Sequence, residues 1–306
     1  MEQTELSSKV TAVSLNNSRS DRFLEIMLYV WAAIVLLVVM YPLYFIIIAS
    51  FSDPSAVGNG KVWLYPKGFT FDGYQELLKH SNIWVGYKNT ILYTVIGTMI
   101  GLVVNISAAF ALSRKELFGR KTITLFFIFT MFFNGGLIPT FLTIRDFHMY
   151  DTFLVMVLPF SVAVFDIIVA RTFFQSSIPN DLWEAAQIDG CGHLRYYTLV
   201  VLPLSKAVIS VLALWMAVGH WNSYFNALIY LQNKDLYPLQ LILRDILITN
   251  SMQSAMGTGE AAQIAMRLAN LLRYSVIIVS TIPIMCFYPM VQKYFNQGVM
   301  IGAVKS

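Results

Sequence analysis

Long uncharged stretches alternate along this chain with short clusters of charge. No Asp, Glu, Lys or Arg stands between Glu25 and Asp53, Lys88 and Arg114, Lys121 and Arg145, Lys206 and Lys234, or Arg273 and Lys293, which leaves gaps of 27, 25, 23, 27 and 19 residues. A helix needs about 20 apolar residues to cross a bilayer core of roughly 30 Å, so each gap predicts one span. A sixth gap, Thr152 to Ala170, is interrupted once by Asp166. Its sequence, FLVMVLPFSVAVFDIIVA, is too apolar for a soluble loop, and a single ionisable side chain can face a bundle interior. The pattern predicts an all-α integral membrane protein with six transmembrane helices, over about 26–50, 89–112, 122–143, 152–174, 207–231 and 274–292, behind a polar tail at 1–22.

Composition agrees with the pattern. The chain is 57% hydrophobic and 12% charged, against roughly 45–50% and 25% in an average soluble domain, and its mean hydropathy is +0.62. The net charge of +4 comes without a basic run or aromatic–basic interleaving, which excludes a nucleic-acid partner. Two cysteines, Cys191 and Cys286, fit neither a disulfide framework nor a metal site and read as packing residues.

Short loops set orientation, because basic residues beside the spans are retained in the cytoplasm. The loop SRKELFGRK carries Arg114, Lys115, Arg120 and Lys121, whereas RDFHMYDT has only Arg145. The first loop is therefore cytoplasmic, the second external, and both termini are cytoplasmic. The basic tail residues Lys9, Arg19 and Arg22 agree. A polar stretch precedes an apolar run much longer than a signal-peptide core, so the first span is expected to remain in the mature protein.

The string EAAQI occurs twice, at Glu184–Ile188 and at Glu260–Ile264, and this topology puts the copies on opposite faces. Around the inner copy Pro179 is placed to open a helix, Asp181 and Glu184 suit its positive end, and Gly190 supplies a positive-φ stop. A second short helix from about His193 is expected to stop at Leu202–Pro203. Helix, glycine turn and helix would form a polar knob at 177–203 on the inner surface, with small alanines that let another protein approach closely. The outer copy lacks the following Asp-Gly and Leu-Pro, and TGEAAQIAMRLANLL reads as ordinary helix leading into span six. Upstream of it, LYPLQLILRDILI reads as an interfacial amphipathic segment.

Glu184, Ala185, Ala186, Asp189, Gly190, Leu202 and Pro203, with Val200 two before the leucine, resemble the signature of binding-protein-dependent ABC importer permeases. That signature is E-A-A, two residues, D-G-A, eight residues, I, one residue, L-P, and the spacing matches with Cys191 and Val200 as the departures. FTFDGYQELL, WNSYFNALIYL and QKYFNQGVMIGAVK are similar to the carbohydrate-uptake branch that includes the six-span maltose permease subunit. FFNGGLIPT and GVMIGAVK resemble its subgroup for complex oligosaccharides and polysaccharides.

The resemblance implies the MetI-like fold of type I ABC importers and a location in the bacterial cytoplasmic membrane. It also implies a second homologous permease subunit, two cytoplasmic ATPase subunits and an external substrate-binding lipoprotein. In that arrangement the knob docks in a cleft of the ATPase, with Glu184 against its basic groups, Gly190 forming the turn and Leu202–Pro203 ending the motif. The tail Gly298–Ser306 would reach the same interface. The chain has no G-x-x-x-x-G-K-[ST] string, so ATP and Mg²⁺ belong to the partner ATPase, and this chain is expected to bind no cofactor, hold no metal and catalyse no reaction.

An oligosaccharide needs hydrogen-bonding groups and aromatic faces within a dry bundle. Span five offers His220, Trp221, Asn222, Tyr224 and Asn226, and span three offers Asn134 beside Gly135 and Gly136, where a break in the helix is expected. The competing role for these residues is packing against the second permease. Asp166, near the inner end of its span, reads as a structural partner of a neighbouring group or as a receptor for sugar hydroxyls. Two other function classes remain on the residues alone. The signature is shared by importers of amino acids, metals and phosphate, while an intramembrane enzyme or ion-coupled carrier is disfavoured by the lack of His-Glu-x-x-His and of intramembrane charge.

Overall fold

The computed structural model describes residues 19–256, 267, 269–286 and 289. All regular structure among them is helical. Helix α1, Arg19–Ser50, runs 32 residues, about 48 Å at 1.5 Å per residue. Beyond Glu25 its side chains are apolar on nearly every face and mostly exposed, the pattern of a helix in lipid rather than water. From Tyr41 onward it joins the rest: the Tyr41 and Tyr44 hydroxyls donate to the carbonyls of Trp63 and Leu64, Ile48, Ala49 and Ser50 are buried, and the Tyr74 hydroxyl donates to Ser50 Oγ at 2.7 Å. Two short helices follow, α2 over Pro54–Gly58 and α3 over Asp72–Lys79.

Helix α4, Ser81–Ser113, is the axis of the bundle. Small residues let its neighbours come close, as they do in membrane bundles where dispersion contacts replace the hydrophobic drive. A Cβ on Gly97 would fall 2.4 Å from the His220 imidazole, and one on Gly101 would fall 2.9 Å from Met216 Sδ and 3.2 Å from the Ser161 carbonyl. At the end of α4 nearest Ser81, polar side chains clamp a connection. Asn89 Nδ2 donates to the carbonyls of Asp235 and Tyr237, Tyr93 donates to that of Leu236, and Thr90 Oγ1 accepts from Leu239 N–H.

The next apolar stretches are broken rather than straight. Helices α5, Arg120–Phe132, and α6, Leu137–Asp146, meet at 113°. The break falls at the glycine pair expected from the sequence: Gly136 has φ +82°, and Asn134 Oδ1 accepts its N–H at 3.0 Å. The stretch holding Asp166 carries α7, Leu154–Val157, then a non-helical segment at 158–163, then α8, Val164–Ser177. Pro159 lies within that break and removes a backbone donor there. The buried Asn105 of α4 compensates for it, donating to the carbonyls of Gly101 and Ser161 at 2.7 Å each and accepting Ala163 N–H at 2.9 Å. Non-helical backbone at membrane depth is tolerated only where protein groups satisfy it in this way.

Beyond α8 come α9, Asp181–Ile188, α10, His193–Tyr196, a π-helical turn at Tyr197–Val201, and α11, Leu202–Leu204. The second arm of this hairpin thus runs through Pro203 to Leu204 instead of stopping at Leu202–Pro203. The wide i→i+5 turn before the proline accommodates its ring and its missing N–H. The chain then turns by 81° into α12, Lys206–Trp221. Next are α13, Phe225–Tyr230, a 3₁₀ turn at Lys234–Leu236, α14, Leu239–Met256, and α15, Ala269–Cys286. Instead of lying free at an interface, α14 buries Leu239, Leu241, Ile242 and Leu243, with Gly86 of α4 against Leu239 and Ile242.

Among the described residues α1, α4 and α15 are long and apolar enough to cross a membrane unbroken, and the α5–α6 and α11–α12 bends fall within further apolar stretches. Three apolar clusters fill the bundle. One, at the end of α4 nearest Ser113, joins Ile106, Phe110, Ile167, Phe174 and Leu212 to Trp183 and Tyr196 of the hairpin. The other two lie toward the opposite end, one around Tyr93, Val155 and Tyr230, the other around Leu77, Trp221 and Leu272.

Candidate functional site

The hairpin from α9 to α11 is held together by an aromatic stack. Trp183, 5% exposed, stacks on His193 with ring centroids 4.5 Å apart and meets Tyr196 edge-on at 4.9 Å. The Arg114 guanidinium sits 4.9 Å from the Phe110 ring and 5.5 Å from the Tyr196 ring. The hairpin is therefore tied to the Ser113 end of α4 by packing and cation–π contact. Trp183 lies inside the signature region, and the sequence argument missed it. Its place one residue before Glu184 on an otherwise exposed helix was the available signal.

The turn itself has a specific geometry. Gly190 stands at φ +72°, its N–H donates to Gln187 O at 3.0 Å, and Cys191 N–H donates to Ala186 O at 2.8 Å. This pair of bonds closes the last helical turn around a left-handed residue, the ending that glycine favours. Ala186 and Cys191 then both pack on the apolar cluster below, which accounts for a small apolar residue at each position. Glu184, Ala185, Asp189 and Pro203 are exposed, and Ala186 and Leu202 are half-buried. Ile188 and Leu194, 87% and 76% exposed, crown the hairpin with apolar surface.

The residues proposed from sequence to touch a substrate separate in the structure. Trp221 is buried and donates Nε1–H to the Ser280 carbonyl at 3.0 Å. Asn222 Nδ2 donates to Val218 O at 2.9 Å, ending α12, and Asn134 shapes its own turn. Tyr224 lies beside the Arg244 guanidinium, 6.0 Å from ring centroid to Cζ. Of the six, His220 and Asn226 line the cavity of about 340 Å³ between α4, the 158–163 segment, α8, α12 and α13. Asp166 lines it too, with Phe160, Trp215 and Ser223, which carried no signal in the sequence. Asp166 stands in the first turn of α8, about 16 Å from that helix's end at Ser177 by its rise per residue. Its place at the start of α8, not near that helix's end, differs from the position expected from the sequence. The second EAAQI, at 260–264, and the tail Gly298–Ser306 lie outside the described residues.

Residues 82–301 match the family of binding-protein-dependent transport system inner membrane components. The chain belongs to that family. The permease is 35% identical over 289 residues to the polygalacturonan/rhamnogalacturonan transport system permease protein YtcP of Bacillus subtilis (strain 168), covering 93% of this chain and 99% of that one. It is 25% identical to the melibiose/raffinose/stachyose import permease protein MelC of the same organism, over 90% of this chain and 94% of the relative. Among solved structures it superposes, with a TM-score of 0.80 and 34% identity, on a chain of a bacterial ABC transporter involved in the import of the acidic polysaccharide alginate, covering 91% of this chain and 98% of that one. The MetI-like permease architecture expected from the signature is thus the architecture found.

Proposed function

We propose that this permease is one membrane-spanning half of an ATP-driven importer of oligosaccharides, working beside a second homologous permease. The observation that carries the coupling role is the hairpin, where the whole E-A-A…D-G…L-P string forms a protruding, glycine-turned knob crowned by exposed Ile188 and Leu194. Glu184, Ala185 and Asp189 on that knob offer charge and close approach to a separate cytoplasmic ATPase, which binds the ATP and Mg²⁺. Gly190 makes the turn, while Leu202 and Pro203 lead into the bend before α12. Closure of two ATPases would push the knob, and the stack of Trp183, Tyr196, Phe110 and Arg114 would pass the movement to α4.

In this reading the knob lies in the cytoplasm, with six crossings and both termini inside, and the basic loop at 113–121 supports that orientation. Sugar as the cargo is supported by relatives named for transport of polygalacturonan, rhamnogalacturonan, melibiose, raffinose and stachyose. An external binding protein would deliver the sugar, and the bacterial cytoplasmic membrane is the barrier crossed. Of the residues proposed for the pathway, His220 and Asn226 have the positions that fit best, because they line the mid-bundle cavity.

The test is purification of the whole complex with its binding protein in proteoliposomes, followed by a screen of glycans for those that stimulate ATP hydrolysis and enter the lumen. Stimulation and uptake by oligosaccharides is the expected result. Stimulation by amino acids, metal ions or phosphate instead, with none by any glycan, refutes the sugar assignment.

A further inference from the structure

The mid-bundle cavity has a chemical character of its own. At about 340 Å³ it lies at the small end of ligand sites, roughly 300–1,000 Å³, with room for the end of an oligosaccharide rather than a whole chain. Phe160 and Trp215 give it aromatic surface, and both are partly exposed. Asp166, His220, Ser223 and Asn226 give it polar groups. Among the described residues no lysine or arginine lines it.

Asp166 is the informative member. It is 7% exposed, it faces the cavity, and its carboxylate has no hydrogen bond or ion pair among the described residues. The side-chain polar groups of His220, Ser223 and Asn226 are also unbonded within the described chain. A buried carboxylate is costly without a partner, and Asp166, with the half-buried His220, Ser223 and Asn226 on the same space, leaves its partner to be supplied from outside the described chain. An ionised carboxylate only accepts hydrogen bonds, so its partner must donate. Sugar hydroxyls donate, and the C–H face of a pyranose fits an aromatic wall. A ring bearing its own carboxylate would meet Asp166 as a like charge with no cation at hand to offset it.

Resting on the sugar-import assignment above, we propose that this cavity is a sugar-ring subsite in this chain's own half of the pathway. Asp166 accepts the hydroxyl hydrogens of a neutral ring lodged against Phe160 and Trp215, and the site turns away a uronate ring. An oligosaccharide with acidic units would then present a neutral ring here and its carboxylates elsewhere.

The experiment uses the assembled complex in lipid nanodiscs with Ser223→Cys in this chain. Modification of the introduced thiol by a cationic and by an anionic methanethiosulfonate reagent is followed on this chain by mass spectrometry. The cationic reagent is expected to react about tenfold faster, the lower end of what a focused field does to local ion concentration. Asp166→Asn should abolish the preference and Asp166→Glu should keep it. Galactobiose is expected to slow the reaction and digalacturonate to leave it unchanged.

A thiol that neither reagent reaches means that the second permease fills the cavity, and it overturns the proposal. So does a preference that survives Asp166→Asn, protection by digalacturonate equal to that by galactobiose, or protection by neither. Glycan uptake by the same complex is read separately. Uptake alongside an unreactive or unprotected thiol sinks the subsite alone, whereas a complex that imports no glycan sinks the import assignment itself.

Discussion

Asn105 on α4 and Ala163 at the head of α8 are joined by a 2.9 Å bond from the Ala163 N–H to Oδ1 of the Asn105 side chain. The same side chain donates to Ser161 O and Gly101 O, so one buried amide satisfies the broken backbone on both sides of 161–163. Replacing it removes the partner of a backbone donor and of a carbonyl inside the bundle. Asn105→Ala is expected to destabilise the permease by about 2–3 kcal/mol, the cost of stranding such groups. Asn105→Asp is expected to be no better, because it keeps the acceptor but loses both donors. Thermal unfolding in detergent checks both, and stability equal to wild type in Asn105→Ala would contradict the role given to this amide.

The turn at Gly190 makes a graded prediction. A Cβ there would meet nothing within 4 Å, and φ is +72°, so the cost of substitution is conformational and not steric. Gly190→Asn is expected to retain uptake, since asparagine tolerates left-handed backbone. Gly190→Ala is expected to cost about 1–2 kcal/mol and weaken uptake partially. Gly190→Pro removes the N–H bonded to Gln187 O and fixes φ at the wrong sign. It is expected to abolish ATPase association and uptake while leaving membrane insertion intact. Wild-type uptake in Gly190→Pro refutes the coupling assignment.

That knob was the part of the molecule most legible in the sequence, because its signature is local: helix starters, alanines, a positive-φ glycine and a proline all act within a few residues of one another. The break at Asn134–Gly136 was legible for the same reason. The break at 158–163 was not, since its tolerance depends on Asn105, an amide more than fifty positions upstream that looks like any other polar residue in a span. Likewise Trp221, Asn222 and Asn134 were read from hydrogen-bonding capacity and aromatic surface as groups for a substrate or for packing against the second permease. The structure gives them local tasks, such as the Trp221 bond to Ser280 O, that polarity cannot distinguish from binding. Phe160 and Trp215 were overlooked because an aromatic residue in an apolar run carries no signal until the chain folds around a cavity.

The contact between α4 and α12 at Gly97 can be probed by adding one methyl group. A Cβ on Gly97 would fall 2.4 Å from His220 Cε1 and 2.5 Å from Nε2, so Gly97→Ala must push the imidazole toward the cavity or spread the helices. Overpacking of this kind costs about 1–3 kcal/mol. If His220 is the obstacle, His220→Ala in the same chain restores the loss, and a double-mutant cycle on unfolding reads a coupling of about 1 kcal/mol or more. Simple additivity of the two changes would show that the methyl group strains something else.

Ile188 and Leu194 predict where the ATPase binds. They are the most exposed apolar side chains of the hairpin, at 87% and 76%, whereas Trp183 beneath them is buried. Ile188→Ser and Leu194→Ser are expected to leave stability within about 0.5 kcal/mol, as exposed substitutions usually do, while lowering co-purification with the ATPase. Trp183→Ala is expected to cost about 3–5 kcal/mol and to lose the ATPase only because the hairpin itself loosens. The contrast between stability and association separates a docking residue from a residue that holds the dock.

The two copies of EAAQI can be told apart by the same contrast. Glu184 is exposed on α9 and makes no hydrogen bond or ion pair through its side chain among the described residues, so its carboxylate is free for a partner's basic groups. Glu184→Gln keeps the shape and removes only the charge. It is expected to reduce ATP-coupled uptake severalfold with unfolding unchanged, and the loss should shrink as salt screens the wild-type contact. Glu260→Gln, in the copy that lacks Asp-Gly and Leu-Pro downstream, is expected to leave uptake at the wild-type level. Equal damage from the two changes would mean that the five shared letters, and not the longer string, carry the coupling.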